Sequence, residues 1–122
     1  MPITWRVMIS SRYWDQKKYT TQWKESPESK YLSQSKGNAT MVKVPSKGDI
    51  VYFVLKGKII MKGYLETDGF ITGDAHRNHS CNIGQIRPHT IKDEYAICKI
   101  TDIDLAIDIR HTGQRTWQVY NY

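Results

Sequence analysis

The stretch Ser46–Leu65, SKGDIVYFVLKGKIIMKGYL, decides how this chain is read. Two apolar runs flank Lys56-Gly57-Lys58, a short hairpin turn in which Gly57 supplies the positive φ. The first run, Ile50 to Leu55, is apolar on both faces and predicts a central strand with packing above and below. The second, Ile59 to Glu66, returns antiparallel. Gly63 interrupts it, which points to a bulge or to close approach by another backbone or a ligand, a packing need being the commoner cause.

Upstream of the hairpin, Ile3, Trp5, Val7 and Ile9 alternate with Thr4, Arg6 and Met8, the period of a half-buried strand. Ser10-Ser11 breaks that run and is expected to cap a short helix carrying Trp14, Tyr19 and Trp23. Ser26-Pro27-Glu28 reads as a second helix start, with Ser26 as cap and Pro27 in the first turn, followed by a polar loop from Ser33 to Asn38. Downstream, Glu66 to Lys92 is rich in Gly, Asp, Asn, His and Pro and reads as a long connection. Tyr95 to Ile100 resumes strand composition. Ile103, Leu105, Ile107 and Ile109 alternate with Asp102, Asp104, Ala106 and Asp108, which predicts another strand, and Arg115 to Tyr120 predicts a last one with Trp117 and Val119 on one side. The sum is an α+β chain of five or six strands with one or two short helices, without repeats, in a single domain spanning 1–122.

Composition narrows the function. The formal net charge is +6, and it is unevenly placed. Residues 1–63 hold 12 Lys and Arg against Asp15, Glu25, Glu28 and Asp49, a balance of +8; the rest holds 6 against 8, a balance of −2. A one-sided positive field attracts polyanions, nucleic acid above all. Trp14, Tyr19, Trp23 and Tyr31 lie among Arg12, Lys17, Lys18, Lys24 and Lys30, the mixture that base stacking and phosphate neutralisation require together. No apolar run reaches the roughly 20 residues of a membrane span, so the expectation is no membrane partner and a cytoplasmic location. Cys81 and Cys98 are expected to be reduced there.

Metal chemistry is weakly signalled. His76, His79 and Cys81, with His89 and Cys98 further on, lack the paired tight spacings of a zinc site, and a polar surface loop is the preferred reading. Asp102, Asp104 and Asp108 on one strand would stand about 7 Å apart at two-residue spacing, which favours a solvated face. No metal and no cofactor is expected. Trp5 and Trp117 read as core, whereas Trp14 and Trp23, on a basic and polar segment, are less readily explained by packing.

The remaining aromatic and hydroxyl set, Ser10, Ser11, Trp14, Trp23, Tyr52, Tyr64 and Phe70, carries a family resemblance. Trp5-Arg-Val-Met-Ile-Ser-Ser-Arg-Tyr-Trp14 through Lys18-Tyr-Thr-Thr-Gln-Trp23, then Lys47-Gly-Asp-Ile-Val-Tyr-Phe53 and Ile60-Met-Lys-Gly-Tyr-Leu-Glu66, resemble the EVE and YTH domains of the PUA-like group. The resemblance covers most of residues 3–70. It implies a small twisted β-barrel, PUA-like, that reads a modified base, methylated or similar, in an aromatic cage on DNA or RNA. It places Trp23 as a cage wall, Ser10 or Ser11 beside the base, Phe70 and then Tyr64 as the second wall, and Gly63 where the pocket needs space. Trp14 is a further cage candidate, and Arg12, Lys17 and Lys18 would grip phosphates. An alternative is that the chain resembles the related ASCH branch, small nucleoside amidohydrolases, in which case Lys43, Thr40 and Glu66 would carry the chemistry. A basic protein-interaction domain is the third reading. Binding without catalysis is the preferred one.

Overall fold

The computed structural model describes residues 2–12, 14–26, 30–37, 43–72, 94–109 and 116–120. They form strand β1 (Thr4–Met8), helix α1 (Gln16–Glu25), and strands β2 (Tyr31–Ser35), β3 (Ile50–Leu55), β4 (Lys58–Leu65), β5 (Tyr95–Asp102), β6 (Ile107–Asp108) and β7 (Trp117–Val119). The sheet runs β2-β5-β4-β3-β1-β7, with β6 beside β4. All these ladders are antiparallel except β1 on β3.

The hairpin stands at the centre as its sequence predicts. Leu55 pairs with Lys58 across a two-residue turn, and both turn residues have positive φ, Lys56 at 51° and Gly57 at 80°. That combination matches the right-handed twist of the flanking strands. Register shifts between Phe53 and Val54 and between Lys62 and Gly63 bend the sheet. It curls into an open half-barrel rather than the closed barrel expected, because among the described residues β2 and β7 form no ladder with each other. A side chain spans the gap instead: the Trp117 indole N–H donates to the Ser35 carbonyl at 2.8 Å.

Period two sorts the strands into an inner and an outer face. Trp5, Val7, Val51, Phe53, Met61, Leu65, Ala96, Cys98, Ile100 and Trp117 form the inner core, closed by Trp14 and by Tyr19 of α1. Gly63 lies on this inner face. A Cβ built there would stand 2.5 Å from the Lys99 carbonyl oxygen and 3.2 Å from the Ile100 Cα, so the missing side chain lets the β5 backbone come close. Of the expectations for Gly63, the bulge and the approaching backbone are met.

Asp49 is the buried anchor of this architecture. Its carboxylate accepts from the Ile3 amide at 3.0 Å, the Trp5 indole N–H at 2.9 Å and the Ser46 amide at 2.9 Å. One residue thereby fixes the start of β1, a core tryptophan and the loop entering β3. Gly48, at φ 92°, donates its N–H to the Leu65 carbonyl at 2.9 Å and closes the other end of the hairpin.

Three sequence expectations are corrected, and a fourth lies outside the described residues. The cap of α1 is Asp15, whose carboxylate accepts from the Lys18 amide at 3.0 Å; Ser10 and Ser11 lie in an exposed turn before it. Ser26 ends α1, with its N–H on the Gln22 carbonyl, and the second helix expected from Pro27 onward falls on 27–29, outside the described residues. Ser33 to Ser35 belongs to β2, because pairing with β5 buries Leu32 and Ser33 despite the polar composition. In the alternating segment after Asp102 only Ile107–Asp108 is strand. Asp104 has φ 59° and breaks the extension, while isolated bonds from the Leu105 amide to Ile60 and from the Ile109 amide to Gly57 keep the segment beside the hairpin.

Candidate functional site

The residues singled out from the sequence for base and phosphate contact all lie among the described residues. Arg12 follows the exposed Ser10-Ser11 turn, and its amide donates to Ser10 Oγ at 3.3 Å. Lys17 and Lys18 are exposed on α1. Trp14 is a core residue: its ring lies 5.1 Å from that of Tyr19, and its indole N–H donates to Gln16 Oε1 at 2.7 Å. Packing accounts for it. Trp23 is half-buried, with its N–H on the Ile100 carbonyl at 3.4 Å and the Lys30 ammonium 5.3 Å from its ring.

Phe70 is half-buried beyond β4, edge-on to Trp117 at 5.3 Å, with the Lys36 ammonium 5.9 Å away. Trp117 also meets Trp5 at 6.0 Å, so these three rings form an aromatic cluster. Trp5 and Trp117 are each only 2% exposed, leaving Phe70 as the ring with a solvent-facing side. Among the described residues no ring contact joins Trp23 to Phe70. Tyr64 lies on the opposite face of the sheet from both, because it alternates with Gly63 and Leu65, which point inward. The structure therefore does not gather Trp14, Trp23, Phe70 and Tyr64 around one space.

The outer face holds a different assembly. Register aligns Gln118, Arg6, Tyr52 and Lys62 across β7, β1, β3 and β4. The next row is Thr4, Ile50, Tyr64, Lys99 and Tyr31, across β1, β3, β4, β5 and β2. Tyr120 joins beyond β7, held by its amide on the Thr4 carbonyl at 2.8 Å. The Lys62 ammonium sits 5.9 Å from the Tyr52 ring and 5.6 Å from the Tyr64 ring. Arg6 lies 6.0 Å from the Tyr120 ring and hydrogen-bonds Gln118. Tyr52 and Tyr120 meet edge to face at 5.6 Å. Aromatic rings and cations thus interleave across neighbouring strands, with Tyr64 38% exposed.

Among the described residues, Lys62 and Lys99 of this strip take part in no salt bridge. The described salt bridges are Lys24 to Asp104, Lys36 to Glu94 and Lys58 to Asp108. Asp102 is the carboxylate paired in register with Lys62, and it accepts from the Thr101 hydroxyl at 2.9 Å.

The other chemical sets give no constellation. No group of three or more His, Cys, Asp or Glu among the described residues could hold a metal, and His76, His79, Cys81 and His89 lie outside them. Cys98 is a buried thiol. Of the amidohydrolase set, Lys43 is exposed, Glu66 uses its amide on the Ile97 carbonyl at 2.8 Å, and Thr40 lies outside the described residues. No helix among them is long and apolar enough to cross a membrane.

Neither a family model, a curated protein nor a solved structure matches this chain. Fold and surface define its class by themselves: a small mixed sheet curled into an open half-barrel, one helix against its inner side, and an aromatic and basic strip on its outer side.

Sequence reasoning found Tyr52 and Tyr64 in this strip and missed Arg6, Lys62, Lys99 and Tyr120. Alternation alone puts Arg6 opposite Trp5, but the parallel pairing of β1 with β3, distant in sequence, is what brings Arg6 beside Tyr52.

Proposed function

We propose that this chain is a nucleic-acid-binding module whose contact surface is the outer face of the sheet. The observation that carries the reading is Lys62 lying between the rings of Tyr52 and Tyr64, with Arg6 beside Tyr120 on the same face. Polyanion binding uses cations for phosphates, and ring faces add affinity wherever a base can reach them. Magnitudes favour the exchange. An exposed cation–π contact is worth about 0.5–1 kcal/mol, and a stacked base about 1–3 kcal/mol, so a base displaces the ammonium from a ring and leaves it free for a phosphate. The charge of residues 1–63, which include Arg6 and Lys62, adds a long-range attraction to the same reading.

Recognition of a modified base is a second reading, favoured by the half-buried rings of Trp23 and Phe70, each under a lysine ammonium. A base entering beside Trp23 would exchange Lys30 for a stacked ring, and a methyl group would add on the order of 1 kcal/mol of apolar burial.

Polarisation of a fluorescent oligonucleotide, titrated with the protein at several salt concentrations, tests the main reading. Affinity is expected to fall linearly on logarithmic axes, by a slope of about 0.7–0.9 per phosphate contacted. Absent binding, or binding indifferent to salt, rejects it.

A further inference from the structure

We infer that the outer strip selects single-stranded nucleic acid, DNA or RNA, over duplex; this rests on the nucleic-acid reading above and names its substrate class. The register of the two tyrosines carries the inference. Tyr52 is opposite Lys62, so Tyr64 stands on the diagonal, two residues further along β4. Diagonal neighbours across an antiparallel pair are about 7–8 Å apart. Bases stacked in a duplex rise only about 3.4 Å per step. Two tyrosines rooted at the wider spacing match bases that have separated from one another, as a single strand allows and a duplex does not. A duplex also buries its base faces and presents phosphates and groove edges, which leaves the tyrosines without a role.

The cations agree with this geometry. Lys62 stands between the two rings, where a backbone linking two separately stacked bases would pass. Lys99, exposed and paired in register with Tyr64, extends the positive track toward β2, while Arg6 and Tyr120 extend it toward β7. The alternation is ring, cation, ring, cation, which suits a strand in which bases and phosphates alternate. Asp102 ends the Lys62 row on β5 with a carboxylate, while Lys99 carries the Tyr64 row onward to β2.

The test compares labelled oligothymidylate and oligouridylate with an oligoadenylate–oligothymidylate duplex, using the full chain and the variants Tyr64→Leu, Lys62→Gln and Trp23→Ala. Leucine keeps apolar bulk on β4, and urea denaturation of each variant verifies folding. The single strands are expected to bind at least about tenfold tighter than the duplex, and Tyr64→Leu to remove about tenfold of that preference. Lys62→Gln should weaken all probes and flatten their salt dependence. Equal affinity for duplex and single strand, with Tyr64→Leu silent and Lys62→Gln still damaging, overturns the single-strand inference and leaves nucleic-acid binding standing. A preference abolished by Trp23→Ala but not by Tyr64→Leu also overturns it, since the contact would then lie on α1. No salt-sensitive binding to any probe removes both readings.

Discussion

The two faces of the sheet use the same strands in opposite ways. On β1, Trp5 and Val7 are buried while Arg6, between them, meets Tyr120; on β4, Met61 and Leu65 are buried while Lys62 and Tyr64 look outward. The inner face absorbs three of the four tryptophans, Trp5, Trp14 and Trp117, and the outer face carries tyrosines. Tyrosine suits a surface with one wet side, because its hydroxyl stays in water while its ring offers a stacking face. Aromatic content alone does not locate a binding site. The kind of ring, and the face on which the register puts it, does.

If this division holds, substitutions on the inner face change stability and those on the outer face change binding. The largest effect is expected at Gly63. A valine there would drive its Cβ into the Lys99 carbonyl, 2.5 Å away, and both neighbours in the way are held in ladders. Overpacking costs about 1–3 kcal/mol, and a backbone oxygen fixed in a ladder places this case at the upper end. The denaturant midpoint of Gly63→Val should drop sharply, while the fraction that remains folded keeps the affinity of the parent. A variant of parental stability that has lost binding would put the site on the inner side.

Asp49→Asn comes next. The amide retains one acceptor oxygen where the carboxylate serves the Ile3 amide, the Trp5 indole and the Ser46 amide with two, so at least one of those N–H groups loses its partner. An unsatisfied buried donor costs about 1–3 kcal/mol, and about 2 kcal/mol is expected from urea unfolding. Unchanged stability would mean that Asp49 is no anchor. This residue lies on the inner side of the comparison although it is charged, since its burial is complete in hydrogen bonds.

These two residues also show what the sequence carries and what it does not. Gly63 and the Lys-Gly-Asp turn stand out in one dimension, because a glycine within a strand and a turn before one are local signals. The hairpin, the first and last strands and the burial of Trp5 and Trp117 follow from period two for the same reason. Missed features are those settled by partners far along the chain. Polar Tyr31–Ser35 is a strand because β5 supplies its ladder, and Trp14 is core because Tyr19 and the inner face close over it. The outer strip joins Arg6, Tyr52, Lys62 and Tyr120, whose adjacency depends on a parallel pairing and on the return of β7 to β1.

On the outer face the expected effects are smaller. Tyr64→Leu should lower affinity for single-stranded oligonucleotide about tenfold, roughly 1.4 kcal/mol, with the urea midpoint almost unmoved. Tyr64 is 38% exposed, so little packing is at stake. A stability loss as large as that of Asp49→Asn would return Tyr64 to the architecture and blur the distinction between faces.

The smallest expected effect is the most specific. Lys62 stands between two rings, and each of its roles predicts a different outcome when it becomes glutamine. If the ammonium only decorates the tyrosines, its removal costs stability by about 0.5–1 kcal/mol and leaves the salt dependence of binding alone. If it meets a phosphate, affinity at low salt falls modestly, and the slope of log affinity against log salt decreases by about 0.7, one contact's share for a single strand. Lys58 is the control on the same strand: it lies within 3.7 Å of Asp108 and is already paired, so Lys58→Gln should leave the slope unchanged. Equal changes of slope at Lys58 and Lys62 would show a diffuse positive surface, in which the rings have no part in aligning the backbone. A change at Lys62 alone ties the charge to the tyrosines beside it.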